Sequence, residues 1–444
     1  MLKRLALAAL LALAAAPALA VDGGRYGEVK FAAPAGAPRG YVVLFSDAGG
    51  WNARDDARLA AIAKAGALAV GVDTDSYLKR AADSDPRCLQ LLGDAEALSR
   101  QLQREHPGAE YFFPLLAGTG RGGALVGEIL AQAPPATIGG GASLDPWVSV
   151  GTERAFCARV SKPSDKIPPP AKAGAPVLID PWTIAFTPTA AAEPRAAYAE
   201  LGKGVPEIAL KASPVAGDEA LAALIAPSLV PDDVGAVAGL PLIELPSPKG
   251  KRLAIFLSGD GGWRDIDRTI AEELNKQGLS VVGWDSLRYF WTRKTPDETA
   301  ADLAKVIAAY RQKWGADEIA LIGFSFGADV LPFLYPKLAP PLRERVKLMT
   351  LLSPSPAADW EIRVVGWLGA APSAAATPLA PALTTVPAGL VQCFYGDQDK
   401  NSSCAALQGA EVIEKKGQHH FDGDYAKIAR EILAGFQRRA DAGL

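Results

Sequence analysis

A serine within a Gly-x-Ser-x-Gly pentapeptide is the residue whose surroundings most directly suggest catalysis. Ser325 lies between Gly323 and Gly327, directly after an apolar run at residues 320–322 and before a predicted helix. Strand, tight turn and helix form the context that exposes a serine as a nucleophile, because glycines permit a strained turn where a Cβ would clash. The turn would also direct the backbone N–H of Phe326 toward a developing oxyanion. Because 44 of the 444 residues are glycine, the pentapeptide alone is a weak indication, and an ordinary tight turn is the alternative.

A nucleophilic serine needs a base and an acid that orients the base, and both residue types follow Ser325 in the order typical of α/β-hydrolases. Asp397 and Asp399 follow one predicted strand, and His419 and His420 follow the last one. The chain has three histidines, so two of them stand where the base is required. We favour Asp399 over Asp397 and His419 over His420. The predicted triad is therefore Ser325, His419 and Asp399, and the alternative is that these are polar residues of surface loops.

The turn at residues 258–262 is predicted to supply a second oxyanion donor. It reads Ser-Gly-Asp-Gly-Gly and follows a predicted strand. In hydrolases of this kind the turn after the first central strand provides a backbone N–H to the oxyanion, and that of Asp260 is the best candidate alongside Phe326. A nucleotide-phosphate loop is the alternative, but the Lys-Ser/Thr ending of a P-loop is absent from the sequence.

An internal repeat indicates the architecture. Residues 42–77 align without a gap with residues 254–289, and each copy predicts a strand, a glycine-rich turn, an amphipathic helix and a second strand. This is half of a parallel α/β sheet, present twice. The two copies differ at the Gly-x-Ser-x-Gly turn, where Gly120 of the first copy aligns with Ser325 of the second. The first copy also has no histidine after His106. We therefore predict two α/β-hydrolase-like domains in tandem, each a doubly wound parallel sheet, with a degenerate N-terminal copy.

The chain is predicted to be exported. Residues 1–20 combine a basic start, an apolar run and an Ala-Leu-Ala end, which is typical of a secretory signal peptide cleaved after Ala20. An uncleaved membrane anchor is the alternative, and no other apolar run is long enough to span a bilayer. We expect a degenerate domain at residues 21–211, a linker at 212–239 and a catalytic domain at 240–444, in a periplasmic protein without a transmembrane segment in its mature form.

Composition and cysteine usage fit this prediction. Hydrophobic residues make up 49% and charged residues 21% of the chain, and the net charge of −3 argues against a nucleic-acid partner. An even number of cysteines in an exported protein suggests disulfides, and because two fall in each half we predict Cys88–Cys157 and Cys393–Cys404. Buried thiols are the alternative. Neither a metal site nor a cofactor is predicted.

Four motifs together resemble a known family. Residues 258–263, 285–291, 323–332 and 419–425 resemble the AcvB/VirJ family of bacterial virulence proteins, and the likeness covers the whole second domain. The two-domain layout with an export signal is more similar to AcvB than to the shorter VirJ. The resemblance implies a periplasmic serine hydrolase that cleaves the aminoacyl ester of aminoacyl-phosphatidylglycerol, with a lysyl or alanyl group. Composition and spacing do not by themselves indicate this substrate.

Such a substrate offers a cationic amine, an ester and a phosphate at a membrane surface. Acidic side chains could receive the amine, arginines the phosphate, and aromatic residues could rest at the bilayer surface. Ordinary packing is the alternative for each of them. The candidates are Asp260, Asp422 and Asp424 for the amine, Arg288 and Arg293 for the phosphate, Tyr289 as a further substrate contact, and Phe290, Trp291, Trp360 and Trp367 for the bilayer.

Two other functions remain open at this stage. One is a periplasmic binding or scaffold protein of a virulence or secretion assembly, with the N-terminal domain as a docking surface for a protein partner. The other is a general carboxylesterase. The interruption of the strand and helix pattern at residues 353–385 predicts a lid over the site, which either hydrolase would use.

Overall fold

Two mostly parallel β-sheets with flanking helices follow one another along the chain, which confirms the predicted fold class. Within the described part of the chain, no helix combines the length and apolar character needed to cross a bilayer. The structure is a computed structural model that describes residues 19–85, 87–106, 111–134, 137–159, 170–171, 176–213, 215–229, 237, 239–247, 251–362 and 373–442.

The first sheet is built from the N-terminal half. Its elements are β1 (Leu19–Asp22), β2 (Glu28–Ala32), β3 (Tyr41–Phe45), α1 (Ala53–Lys64), β4 (Leu68–Val72), α2 (Thr74–Ser84), α3 (Leu92–Glu105), β5 (Leu115–Thr119), α4 (Gly120–Gln132), β6 (Gly140–Leu144), β7 (Trp182–Phe186), α5 (Ala192–Gly204), β8 (Ile208–Ala212) and α6 (Ala220–Ile225). The strand order is β1-β2-β4-β3-β5-β6-β7-β8. Pairing is parallel from β4 to β8 and antiparallel at β1 and β2.

The second sheet repeats this plan. Its elements are β9 (Leu242–Leu245), β10 (Arg252–Leu257), α7 (Asp265–Lys276), β11 (Ser280–Trp284), α8 (Ser286–Tyr289), α9 (Pro296–Trp314), β12 (Glu318–Phe324), α10 (Phe326–Leu334), α11 (Pro340–Arg343), β13 (Val346–Leu352), β14 (Ala357–Ala358), β15 (Thr377–Pro378), α12 (Leu379–Leu383), β16 (Val391–Gly396), β17 (Glu411–Lys415) and α13 (Tyr425–Asp441). The order is β17-β16-β13-β12-β10-β11-β9, with only β9 antiparallel, and β14 pairs with β15 separately.

A tryptophan and a glycine that recur in both copies of the repeat make the same packing contact in both sheets. The ring of Trp51 lies 2.1 Å from where a Cβ on Gly71 would stand, and the ring of Trp263 lies 2.5 Å from the same point on Gly283. Each indole therefore packs directly on the backbone of the neighbouring strand. Any side chain at either glycine would expel the ring, which explains why both members of the pair recur.

The predicted linker is in part a piece of the first domain. Helix α6 lies inside residues 212–239, and its Leu221, Leu224 and Ile225 are buried in one apolar cluster with side chains of β3 and α1. Their spacing is that of one helix face, so the segment buries apolar surface rather than only connecting two domains. Residues 230–236 lie outside the described residues.

Both predicted disulfides are present. Cys88 and Cys157 are joined with an S–S distance of 2.00 Å, and Cys393 and Cys404 with 2.05 Å. The first ties the segment before α3 to the loop after β6. The second ties β16 to a short 3-10 helix at Cys404–Ala406, and the loop it encloses carries Asp399.

Strand β1 spans the predicted signal-peptide cleavage site. Leu19 and Ala20 pair with Phe31 and Lys30 of β2. Because β1 lies at the edge of the sheet, a chain cut after Ala20 would lose half of one edge strand and none of the central strands. Residues 1–18 of the predicted signal peptide lie outside the described residues.

Candidate active site

Ser325 occupies a strained turn between β12 and α10. Its φ of 51° and ψ of −116° lie where non-glycine residues are rarely found. The flanking glycines make the turn possible, because a Cβ on Gly323 would stand 2.5 Å from the backbone N of Ala328, and one on Gly327 would stand 2.2 Å from the carbonyl O of Leu257. Helix α10 thus starts in direct contact with the end of β10. Backbone strain of this kind persists only where the surroundings hold it, and it is concentrated at functional sites.

The structure brings the three predicted triad residues together. The Nε2 atom of His419 lies 2.8 Å from Oγ of Ser325, and its Nδ1 atom lies 3.2 Å from Oδ2 of Asp399. With its Nδ1–H donating to the carboxylate, the imidazole presents Nε2 as an acceptor for the serine proton. A serine, a base and an orienting acid in this sequence of contacts can perform nucleophilic acyl transfer.

Asp397 and His420, the alternative acid and base, make contacts that support the loops of Asp399 and His419 and do not contact Ser325 themselves. Oδ1 of Asp397 accepts a hydrogen bond from the N–H of Gly417 at 2.9 Å, just before the histidines. The hydroxyl of Tyr425 donates to the carbonyl of His420 at 3.4 Å. The imidazole ring of His420 packs edge-on against the ring of Phe324. Of the two histidines, His419 is the one in hydrogen-bond contact with the serine.

The acid is held on both sides. The side chain of Asp399 is 8% exposed, and its Oδ1 accepts the N–H of Asn401 at 3.1 Å, which leaves Oδ2 for the imidazole. Cys393 and Cys404, both fully buried, close the loop that carries it. The disulfide therefore limits the positions that the carboxylate can take.

The first domain holds an anionic oxygen at the position of the oxyanion site. Oδ1 of Asp47 accepts the N–H of Ala48 at 2.7 Å and the N–H of Arg121 at 2.8 Å. Gly120 stands where the nucleophile would be, and a Cβ there would lie 2.0 Å from the same oxygen. A carboxylate of the domain itself thus fills its degenerate site. The sequence contained the sign for this, since the repeat aligns Asp47 with Gly259.

The corresponding N–H groups of the second domain belong to Asp260 and Phe326, the predicted oxyanion donors. Phe326 is the first residue of α10, so its N–H has no acceptor within the helix. A Cβ on Gly259 would lie 3.6 Å from Cβ of Ser325, so this turn passes directly beside the nucleophile. The degenerate copy demonstrates that two N–H groups at these positions can converge on one anionic oxygen, which is what an oxyanion hole requires.

Two carboxyl groups, those of Asp260 and Asp329, belong to residues close to the nucleophile, and sequence reasoning missed the second of them. Asp329 follows Ser325 by one helical turn, and its Oδ1 accepts the N–H of Ser355 at 2.6 Å. Burial raises the pKa of Asp329 to about 8, and the charges of Asp260 and Asp359 act in the same direction. Burial also raises the pKa of Asp260, which His419 opposes. Among the described residues, no cluster of three or more His, Cys, Asp or Glu is placed to hold a metal ion.

The raised pKa of Asp329 predicts a pH-dependent gain in stability for Asp329→Asn. The folded protein keeps a proton on this carboxyl up to about pH 8, whereas the unfolded chain releases it near its ordinary value, so the free energy of unfolding falls as the pH rises between these values. Asparagine has no proton to lose and can still accept from Ser355. We expect the Tm of the variant to exceed that of the wild type by at least about 2 °C at pH 8, and by less at pH 5.

Thermal unfolding of both proteins between pH 5 and pH 9 measures this difference. Asp441→Asn, at a carboxylate with 78% exposure, is the matched control and should show no such trend. A Tm difference for Asp329→Asn that stays constant across this range would contradict the assignment of a proton to Asp329.

Several predicted substrate and bilayer contacts are buried in the packing of the protein, which corrects the expectation from sequence. The hydroxyl of Tyr289 donates to Oδ2 of Asp302 on α9 at 2.7 Å, in the domain core. Phe290 and Trp291 are 1% exposed and Trp360 is 5% exposed, so none of the three can lie on a bilayer surface. They are packed among aromatic residues of both domains, and a sequence pattern cannot distinguish such packing from an exposed apolar patch.

The charged candidates differ in their surroundings. Arg288 donates from Nε to the carbonyl of Tyr111 in the first domain at 3.2 Å, so its guanidinium lies at the domain contact. Arg293, Asp422 and Asp424 are exposed, and Asp424 caps α13 by accepting the N–H of Lys427. Asp422 and Asp424 follow the histidines directly and stay candidates for the amine.

The predicted lid is described in part. Strands β14 and β15 pair beside the site, and the segment before residue 362 packs on the loop after α8, where the N–H of Ile362 donates to the carbonyl of Phe290. The ring of Phe290 in turn contacts the ring of Phe326 with centroids 4.8 Å apart. Residues 363–372, with Trp367, lie outside the described residues.

Comparison with protein families identifies a match in the second domain. Residues 251–440 match the model of the family described as "Bacterial virulence protein (VirJ)", which confirms the resemblance for the second domain. A search of curated proteins finds no match.

Similar solved structures include Est1E from Butyrivibrio proteoclasticus with bound ferulic acid, with 14% identity and a TM-score of 0.33 over 46% of this chain and 97% of that one. An alpha-beta serine hydrolase homologue from Coxiella burnetii has 18% identity and a TM-score of 0.32 over 44% of this chain and 89% of that one.

Proposed function

The second domain matches the VirJ family over residues 251–440, and from this premise we propose that it is a serine hydrolase that cleaves a carboxylic ester through Ser325, His419 and Asp399. The distance of 2.8 Å between Nε2 of His419 and Oγ of Ser325 is the observation that supports this most directly. We also propose that the first domain, which has glycine at the nucleophile position and a carboxylate in the oxyanion position, performs no hydrolysis.

The proposed reaction has two halves. Oγ of Ser325 attacks the ester carbonyl carbon while His419 accepts the serine proton, and the new C–O bond leaves a tetrahedral intermediate whose oxyanion accepts hydrogen bonds from the N–H groups of Asp260 and Phe326. His419 then passes its proton to the departing alkoxide as the acyl–oxygen bond breaks. In the second half, water attacks the acyl-enzyme, His419 accepts its proton, and Ser325 leaves with that proton as the acid is released.

We propose aminoacyl-phosphatidylglycerol as the substrate class, with the aminoacyl group transferred to Ser325 and the lipid glycerol hydroxyl as the leaving group. The family resemblance is the main support. The acidic surroundings are compatible with a cationic α-amine, because Asp260 lies in the turn beside the nucleophile and Asp422 and Asp424 lie on the exposed loop after the histidines. A negative potential of this kind favours a cation and disfavours fatty-acyl esters that lack one.

We further propose that the protein works in the periplasm after removal of residues 1–20. The basic and apolar start of the chain supports export. Two disulfides support an oxidising compartment, because disulfides rarely persist in the reducing cytosol. This location would place the enzyme at the outer surface of the inner membrane, where it meets phospholipid headgroups.

Hydrolysis of defined vesicles tests the substrate class. Purified protein is mixed with vesicles of phosphatidylglycerol that contain lysyl- or alanyl-phosphatidylglycerol, and the free amino acid is measured over time. We expect release from at least one of the two lipids by the wild type and none above background by Ser325→Ala. Cleavage of a short soluble ester without any release from either lipid would instead indicate a general carboxylesterase. Failure to cleave any ester, together with no labelling by a fluorophosphonate, would favour a binding or scaffold protein.

A further inference from the structure

The first domain packs directly against α8 of the second domain and the loop that follows it. Tyr111 is 1% exposed and belongs to the same apolar cluster as Trp291, with ring centroids 4.7 Å apart. The N–H of Tyr111 faces the carbonyl of Arg288 at 3.5 Å, and Arg288 returns a bond to the carbonyl of Tyr111. The contact is therefore a packed interface with one backbone hydrogen bond and one bond from a side chain to the backbone across it.

A chain of charged contacts leads from this interface to the oxyanion turn. Oε1 of Glu96 on α3 accepts a hydrogen bond from Nη2 of Arg264 at 2.9 Å. Nε of the same guanidinium donates to the carbonyl of Gly261 at 2.7 Å. The turn is closed by the N–H of Gly262, which donates to the carbonyl of Gly259 at 3.1 Å. A carboxylate of the first domain thus fixes the arginine that fixes the turn of the proposed oxyanion donor.

The chemistry of these groups suits a positioning role. A guanidinium carries its N–H groups in a rigid planar fork, so holding one of them in place orients the others. The side chains of Glu96 and Arg264 are 16% and 33% exposed, and Glu96 also accepts from Arg100 at 3.0 Å within α3. Both arginines donate to the same oxygen, Oε1 of Glu96, so Arg100 helps to hold the oxygen that Arg264 contacts.

We propose that Glu96 is a positioning residue for ester hydrolysis in the second domain, acting through Arg264 on the turn at residues 258–262. The degenerate first domain thereby completes an active site to which it contributes no catalytic residue. This inference rests on the proposed function. Glu96 lies outside all the motifs of the second domain, and its contact with Arg264 joins residues 168 positions apart.

A second cross-domain contact provides the comparator. Arg104, also on α3, donates to the carbonyl of Trp291 at 2.5 Å and to Glu361 at 3.1 Å, and its guanidinium lies 3.8 Å from the centre of the Trp291 ring. These contacts reach the lid side of the interface and do not involve Arg264. Loss of Arg104 therefore loosens the interface while leaving the link to the oxyanion turn in place.

The test is carried out on the full-length protein with a short soluble ester. Loss of an interaction that is made only in the transition state lowers kcat and leaves KM unchanged. Loss of a complete oxyanion donor lowers kcat by about 10²–10³-fold. Because Glu96→Gln displaces a donor without removing it, we expect kcat and the rate of fluorophosphonate labelling to fall by about 10-fold, with KM within about twofold of the wild type. Arg104→Gln and the exposed Glu105→Gln should both keep kcat within about twofold.

Arg264→Lys is a second test of the link, since lysine keeps the positive charge beside Glu96 but lacks the planar guanidinium that contacts both Glu96 and Gly261. It should reproduce the loss of kcat, and the double variant should lose no more than either single one, because both act on the same link. Wild-type kcat in Glu96→Gln, additive losses in the double variant, or an equal loss in Arg104→Gln would each overturn the inference. A wild type that neither cleaves the ester nor reacts with the fluorophosphonate would instead overturn the proposed function.

Discussion

Ser325→Ala is expected to abolish ester hydrolysis, with kcat lower by about 10⁴–10⁶-fold. The variant lacks the hydroxyl that forms the acyl-enzyme, so only oxyanion stabilisation and substrate binding remain to accelerate attack by water. Substrate binding should change little, because Oγ is a small part of the contact surface. The measurement is the initial rate of amino acid release from aminoacyl-phosphatidylglycerol vesicles, or of alcohol release from a soluble ester.

An exposed serine of the first domain provides the matched control. Ser228→Ala removes a hydroxyl from a short 3-10 helix, and we expect wild-type rates from it. The Tm of Ser325→Ala should stay close to that of the wild type, because the change removes a single oxygen. Hydrolysis by Ser325→Ala within about tenfold of the wild-type rate would contradict a covalent mechanism at this residue.

His419→Ala is expected to lower kcat to a similar extent, by about 10⁴–10⁶-fold, because without the imidazole no group accepts the proton of Ser325. The neighbouring histidine is the control that the chain itself offers. His420→Ala removes the same kind of side chain one residue away, and we expect a loss of less than about tenfold, since His420 supports the loop and does not contact Oγ.

A pH profile distinguishes the two roles further. If His419 is the base, the acid limb of the kcat/KM profile should disappear with His419→Ala and persist with His420→Ala. A larger loss from His420→Ala than from His419→Ala would show that the loop presents the other imidazole during catalysis, and would contradict the assignment made from the geometry.

The fold and the core of the candidate site could be predicted from the sequence for identifiable reasons. Gly323 and Gly327 are required by close backbone contacts that no other residue permits, so the elbow could be identified from the sequence. His419 and Asp399 follow strands at the same edge of a parallel sheet, and the order of strands makes them meet. The disulfides could be paired because two cysteines fall in each half of the chain.

The contacts between the domains could not be predicted in this way. The sequence favours a bilayer contact for Trp291 and a substrate contact for Tyr289, and only the packing of the first domain on Trp291 and the bond from Tyr289 to Asp302 show that both are buried. The link from Glu96 to Arg264 joins α3 of the first domain to the residue before α7 of the second and leaves no local pattern in the sequence. The role of Asp47 could be predicted in part, because the sequence repeat aligns this carboxylate with Gly259.

The central claim is that the serine at the elbow of the second domain is activated by its histidine. The most direct test is to incubate the full-length protein with a fluorophosphonate, measure the intact mass and map the modified peptide. We predict one phosphonyl group per chain, located on Ser325, and no modification of the Ser325→Ala or His419→Ala proteins on the same time scale. Labelling that persists in Ser325→Ala, or an unmodified wild type, would contradict the account.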